Sequence, residues 1–172
     1  MKFIFLSSVA VLFSFYFVNA QEIKTVKIGS QIWMARNLDI ETTGSHAYED
    51  NSEMTKKYGR LYTWDAAKNS CPAGWHLPSD NEWKEMINLL GGEDVAGKEL
   101  KTGGNSGFNA LLGGLSSPGN YRLMGFYGTF WSSSNYDSDH AWYFYITSTG
   151  VNITSTYFSK LYGFSVRCIK NK

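Results

Sequence analysis

Two cysteines, three histidines and one run of alternating oxygen donors are the side chains from which this 172-residue chain could build chemistry. The run is Asn135-Tyr-Asp-Ser-Asp-His140, in which Asn135, Asp137 and Asp139 alternate and could offer three oxygens to a cation. The glycine and late glutamate of a calcium-binding helix-loop-helix are missing there, and such side chains equally bond their own backbone in a turn. A second polar group, His46, Glu49, Asp50 and Asn51, sits among Ser, Thr and Gly, where a solvated loop is the plainer reading. With no His-x-x-x-His pair and no Cys and His cluster for zinc, neither a metal nor a cofactor is expected.

Catalytic patterns are likewise thin. Gly114-Leu-Ser-Ser-Pro118 fails the serine-nucleophile pattern at its last position, and no glycine-rich phosphate cradle precedes a Lys-Ser or Lys-Thr. Two carboxylates for glycoside hydrolysis need not be close in sequence, but nothing singles out a pair. Cys71 and Cys168 lack a C-x-x-C neighbour or a cationic cluster that would lower a thiol pKa, so a structural role is expected for both.

The elements that must position these groups are legible in part. Ser79 followed by Glu82 is a capping box, and Trp83, Met86, Ile87 and Leu90 then form one apolar stripe, with Gly91 as a left-handed stop. Before it, Leu61, Trp64 and Ala67 suggest a shorter helix ending at Cys71. Thr25 to Ile28, a Gly29-Ser30 turn and Gln31 to Met34 read as a hairpin. Asn37 to Lys57 reads as a surface loop, and Gly91 to Gly128 as a long ordered loop. Strands are expected from Phe130 to Ser134, Ala141 to Ile146 and Val151 to Tyr157. Phe164 to Ile169 is expected as a half-buried strand, with Phe164, Val166 and Cys168 inward and Ser165 and Arg167 outward.

The run from Trp64 to Trp83, W-D-A-A-K-N-S-C-P-A-G-W-H-L-P-S-D-N-E-W, carries a resemblance together with G-S-Q-I-W-M-A-R-N-L, F-W-S-S-S and Y-G-F-S-V-R-C. These motifs resemble the Fibrobacter succinogenes major paralogous domain over nearly all of the chain after residue 20. That family is similar to the C-type-lectin-like fold, which formylglycine-generating enzymes share, and which bridges a Trp-x-x-Ala-x-x-x-Cys helix to a cysteine on the last strand. The resemblance implies an α+β, C-type-lectin-like architecture: two short helices packed on small antiparallel sheets with long irregular loops. It implies no catalysis, because the formylglycine-generating activity needs a reactive cysteine pair and both cysteines here are committed to the bridge. The lectins' Glu-Pro-Asn or Gln-Pro-Asp loop and Trp-Asn-Asp strand do not occur, and Leu112 stands where the family tends to have proline.

Lys2, the apolar run from Phe3 to Val18 and Val-Asn-Ala read as a secretory signal over residues 1–20, leaving a domain over residues 21–172. Without Lys2 the basic count falls from 16 to 15 and matches the 15 acidic groups. Zero net charge gives no general attraction to nucleic acid, and no membrane span is expected after signal cleavage. An exported protein, periplasmic, cell-surface or secreted, sits in an oxidising compartment, where Cys71 and Cys168 are expected to pair.

The expected function is a non-catalytic binding module for a glycan or cell-envelope partner, with Tyr136, Asp137, Asp139, His140 and Tyr143 as its candidate ligand-binding residues. A structural subunit of a surface assembly is the alternative, and an enzyme with unrecognised carboxylates the third reading. The bridge closes a loop of 168 − 71 = 97 residues, for which chain entropy gives at most about 4 to 5 kcal/mol. Reductant is therefore expected to lower the thermal midpoint of the folded protein, and a midpoint indifferent to reductant would mean that the cysteines are unpaired.

Overall fold

The structure is a computed structural model and describes residues 23–172; the expected signal segment, residues 1–20, lies outside the described residues. In chain order the elements are β1 (Thr25–Ile28), β2 (Gln31–Met34), β3 (Ser45–His46), a 3-10 turn (Tyr48–Asp50), α1 (Ser52–Tyr58), β4 (Leu61–Tyr62), α2 (Trp64–Ser70) and β5 (Trp75–His76). Then follow α3 (Asp80–Leu89), α4 (Glu93–Leu100), β6 (Leu115–Ser117), β7 (Asn120–Arg122), β8 (Tyr127–Asn135), β9 (His140–Thr147), β10 (Ile153–Ser159), β11 (Phe164–Ser165) and β12 (Ile169–Lys170). The class is α+β. One sheet runs β1-β2-β12-β5, a second β10-β9-β8-β11-β4-β3, and β6 and β7 form a separate ribbon.

Four helices stand where two were expected among these residues. The region read as a loop from Asn37 to Lys57 contains α1, whose start is fixed by the Asn51 side chain accepting from the Glu53 amide; none of its residues is buried, so no apolar period announces it. The region read as a long loop contains α4, where Ala96, Gly97 and Leu100 face inward. Gly97 is a close-approach residue and not a breaker: a Cβ there would lie 2.0 Å from the Asn152 carbonyl oxygen. The shorter expected helix begins later, at Trp64, because Leu61 and Tyr62 pair with β3 and β11 instead.

The β1-β2 hairpin and α3 form as their residues dictate. Ile28 pairs with Gln31 across Gly29, whose φ is 60°. At α3 the Ser79 hydroxyl accepts from the Glu82 amide while the Glu82 carboxylate accepts from the Ser79 amide at 2.8 Å. Burial pushes the Glu82 carboxyl up, but the Ser79 amide and hydroxyl and the His76 ring hold it below its ordinary value. His76 is pinned between that carboxylate, 2.9 Å from Nε2, and Asn171, 2.7 Å from Nδ1.

The core has two aromatic centres. In the first, Trp83 lies on Phe144 at 5.1 Å and beside Trp33 at 4.9 Å, with Phe108 and Phe130 against its edges. Truncating a buried tryptophan of this kind typically costs about 3 to 5 kcal/mol. In the second, Trp131 packs on Phe164 at 4.3 Å, near Trp64, Ala67, Leu77 and the disulfide. Cys71, at the end of α2, is bonded to Cys168, which is fully buried between β11 and β12. Strand β8 contains a bulge, since Trp131 to Asn135 advances four residues while its partner β9 advances only from Tyr143 to Ala141. The displaced residues turn to other elements: the Ser132 carbonyl accepts from the Trp64 indole, Ser133 donates to Pro78, and Ser134 Oγ accepts from the Asp80 amide.

The last strands depart from expectation in one respect. Phe164 to Ile169 is split between the two large sheets, and Ser165 and Arg167, expected outward, are buried. The Arg167 guanidinium donates to Asn37 Oδ1 from Nε (3.1 Å) and Nη2 (2.7 Å), and to the carbonyls of Met34 (3.1 Å) and Phe108 (2.6 Å) from Nη1. It also lies 4.3 Å from the Phe108 ring centre. Burial, with Arg36 nearby, lowers its pKa to about 9, so it remains charged at neutral pH.

Below the ordinary value of 4.5, Glu82 binds fewer protons in the folded chain than in the unfolded one, so its contribution to stability grows with pH across that window. Wild type is expected to exceed Glu82→Gln in unfolding free energy at neutral pH, with the gap closing as the pH falls through the folded pKa. A gap constant from about pH 6 to about pH 3 would contradict this linkage.

Candidate functional site

Strands β8 and β9 meet at the turn Asn135 to His140, and the turn is held by its own side chains. Asp137 Oδ1 accepts from the amides of Asp139 (2.8 Å) and His140 (2.7 Å), and the same carboxylate meets His140 Nδ1 at 2.9 Å. The Asp139 amide above all, with the His140 ring and amide, holds the Asp137 carboxyl below its ordinary pKa. Asp139 bonds Ser138 through its side chain and the Lys160 amide through its carbonyl. Lys160 Nζ donates to the carbonyls of Asp137 and Ser138 at 2.8 Å each while lying over the Trp64 ring. The Asp137 and Asp139 carboxylates are thus engaged in shaping the turn, and among the described residues no three His, Cys, Asp or Glu side chains gather.

The braced turn displays aromatic rings. Tyr136 stacks on Tyr157 of β10 at 3.7 Å with the planes 5° apart, and Trp142 stands edge-on to both. The His140 ring is edge-on to Tyr157 at 5.9 Å. Tyr136 is 46% exposed and Tyr157 42%, and the neighbouring Tyr157 hydroxyl pushes the Tyr136 pKa up. The structure therefore brings Tyr136, Asp137, Asp139 and His140 together. Tyr143 belongs elsewhere: it points to the opposite face of β9, half-buried against Phe164 (4.6 Å) and Trp131 (6.2 Å), and burial raises its pKa to about 12.

The segment from Lys160 to Gly163 joins this turn to a cleft of about 510 Å³, lined by His46, Asp50, Thr63, Ser116 and Ser117, with Tyr121 and Leu161. The Tyr121 hydroxyl donates to Asp50 Oδ1 at 3.0 Å, and its ring lies against Tyr48. Burial, then the Asp50 carboxylate, raises the Tyr121 pKa. Glu49 and Asp50 both carry φ of 53°, a left-handed conformation that non-glycine residues rarely adopt. His46 and Asp50, set aside in the sequence as part of a solvated loop, form one wall.

Sequence reasoning missed Ser116, Ser117, Tyr121, Leu161 and Tyr157. A signal for the first three was present, because Ser117-Pro118-Gly119-Asn120 places Pro and Gly at the central positions of a type II turn, and Gly119 has φ of 74°. The flanking residues form the β6-β7 ribbon. Leu161 carried no signal, since its place in the wall depends on three distant segments meeting.

Ser79, His76 and Glu82 do not line up for acyl transfer. His76 shares Glu82 with Ser79, so the carboxylate lies between hydroxyl and imidazole, whereas a serine nucleophile needs the imidazole in the middle. The arrangement at the turn is built to display rings. Asp137→Ala is expected to accelerate amide hydrogen exchange at Asp139 and His140 severalfold, whereas Tyr143→Ala leaves those two amides unchanged; equal rates in wild type and Asp137→Ala would show that the carboxylate does not hold the turn.

No curated protein and no solved structure matches the chain. The family described as the Fibrobacter succinogenes major domain matches residues 26–170, from the second residue of β1 to the last of β12. That match spans nearly the whole described fold, and the chain belongs to the Fibrobacter succinogenes major domain family.

Proposed function

We propose that the domain is a non-catalytic binding module of an exported protein, and that its ligand is a neutral glycan. The observation that carries this reading is the cleft: Thr63, Ser116, Ser117 and Tyr121 offer hydroxyls beside the apolar surfaces of Tyr121, Pro118 and Leu161, and no lysine or arginine lines it. A sugar presents hydroxyls at its edge and C–H groups on its face, so hydroxyls next to a ring and an aliphatic side chain fit both. The one carboxylate in the wall, Asp50, is already engaged by Tyr121. The exposed Tyr136 and Tyr157 rings, linked to the cleft through the chain from Lys160 to Gly163, offer a second stacking surface for an oligosaccharide.

The framework supports a lectin-like reading. Helix α2 is stapled through Cys71 to Cys168 beside the closing strands, and the chain between them supplies most of the cleft, with His46, Asp50 and Thr63 added from before Cys71. The disulfide also supports export, and no helix of the described residues is long and apolar enough to cross a membrane.

The test is retention of the purified protein on immobilised cell-wall and plant polysaccharides and on a glycan array. Tyr121→Ala is expected to reduce retention at least about tenfold, which is a loss of about 1.4 kcal/mol in affinity. Tyr136→Ala weakens it less, and Tyr143→Ala leaves it unchanged, with thermal midpoints of Tyr136→Ala and wild type equal. Wild-type protein that no glycan retains would sink the reading and leave the structural-subunit alternative standing.

A further inference from the structure

Strand β10 is the outer strand of the six-stranded sheet, and its sequence, Ile153-Thr-Ser-Thr-Tyr-Phe-Ser159, holds no charge, no proline and no glycine. It pairs with β9 over all seven residues without a bulge. An outer strand leaves alternate N–H and C=O groups pointing away from its one neighbour, and natural sheets blunt such edges with lysine, proline, bulges or brevity. The other outer strands among the described residues are blunted or covered: β1 carries Lys27, β7 carries Arg122, β3 and β5 are two residues long, and the three-residue β6 is bonded to Gly163. Only at its start is β10 covered, where the Lys98 amide of α4 donates to the Val151 carbonyl. Among the described residues nothing outside β9 hydrogen-bonds to the main chain from Thr154 to Phe158, and Tyr157 and Phe158 are exposed on opposite faces.

We propose that β10 pairs with β10 of a second copy of this chain, antiparallel about a two-fold axis at Thr156, joining the two six-stranded sheets into one. The occupant is argued from the strand itself. Self-pairing sets like charges directly against or near one another, which is unfavourable, and β10 is the long edge with no charge to repel its own copy. In the register centred on Thr156, Tyr157 stands opposite Ser155 and Phe158 opposite Thr154, so each large ring meets a small hydroxyl side chain across the seam. Residues 153, 155, 157 and 159 share one face and 154, 156 and 158 the other, so both sets of facing pairs lie on matching faces. The seam would set the Tyr136 and Tyr157 stacks of the two copies on the same face of the joined sheet. This inference does not depend on the glycan reading, and its measurements are separate.

Sedimentation velocity of the processed protein from micromolar to submillimolar concentration is expected to show a monomer-dimer equilibrium, with amide exchange from Thr154 to Phe158 slowing as the dimer forms. Thr156→Lys and Thr156→Glu, each placing two like charges opposite one another, are expected to be monomeric with unchanged thermal midpoints. An equimolar mixture of the two variants is expected to recover the dimer. A wild type that stays monomeric throughout, a dimer that survives Thr156→Lys, or exchange at Thr154 to Phe158 that ignores concentration overturns the proposal; so does a mixture that remains monomeric.

Discussion

The fold depends on a buried positive charge held without a negative one. Every close hydrogen-bond partner of the Arg167 guanidinium is an amide oxygen, from the Asn37 side chain or the backbones of Met34 and Phe108. Taking an ion out of water costs several kcal/mol unless nearly all of its donors are satisfied, so these oxygens must be in place before the core can close. Asn37 is aimed by its own amide, which donates to the Tyr58 carbonyl at the end of α1 and to Ser165 Oγ. Gly59 lets that helix end lie against Asn37, since a Cβ there would come within 2.7 Å of both the Asn37 Cβ and the Leu38 carbonyl oxygen. A surface helix with no buried residue is thereby tied to the deepest charge in the molecule.

Around this centre the two large sheets are joined by one short stretch of chain. Ser165 bridges to Phe130 in β8, and Ile169 pairs with Trp33 in β2 and His76 in β5. Between them lie Arg167 and Cys168, so the polar anchor and the covalent one are adjacent residues in the link between β11 and β12. The Phe108 carbonyl brings in the glycine-rich segment, and Asn109, with φ of 51°, turns the backbone there. That segment is therefore ordered by the charge it helps to solvate, and its continuation supplies the β6-β7 ribbon of the cleft.

Much of this was legible in the sequence where local rules and burial agree. The capping box at Ser79, the stripe through Trp83, the Gly29 hairpin and the strand meander after Tyr127 each combine a period with a stop signal, and each appears within a few residues of its expected bounds. The misses have distinct causes. Helix α1 is mostly polar and buries none of its residues, Met54 and Tyr58 included, and α4 is interrupted by a glycine that is there for the Asn152 carbonyl. Arg167 is buried where alternation reads a charged residue as outward, because its acceptors, the Asn37 side chain and the Met34 and Phe108 carbonyls, lie far from it in sequence. Tyr136, Asp137, Asp139 and His140 share one turn, as their closeness in sequence implies, whereas Tyr143 lies on the other face of its strand and the cleft wall assembles from segments far apart.

The order in which the chain becomes available gives the β2-β12 pairing a temporal meaning. Trp33 lies 169 − 33 = 136 residues before Ile169, so its strand gains its second neighbour only when that distant segment has followed. Contacts of such long sequence separation form late, after the entropy of closing the intervening chain has been overcome. Until then the Asn37 oxygen and the Phe108 carbonyl have no guanidinium to receive, and the thiol at the end of α2 has no mate. The first half of the fold thus stays unfinished until the closing strands arrive, so its buried charge and its disulfide are completed by the same late event.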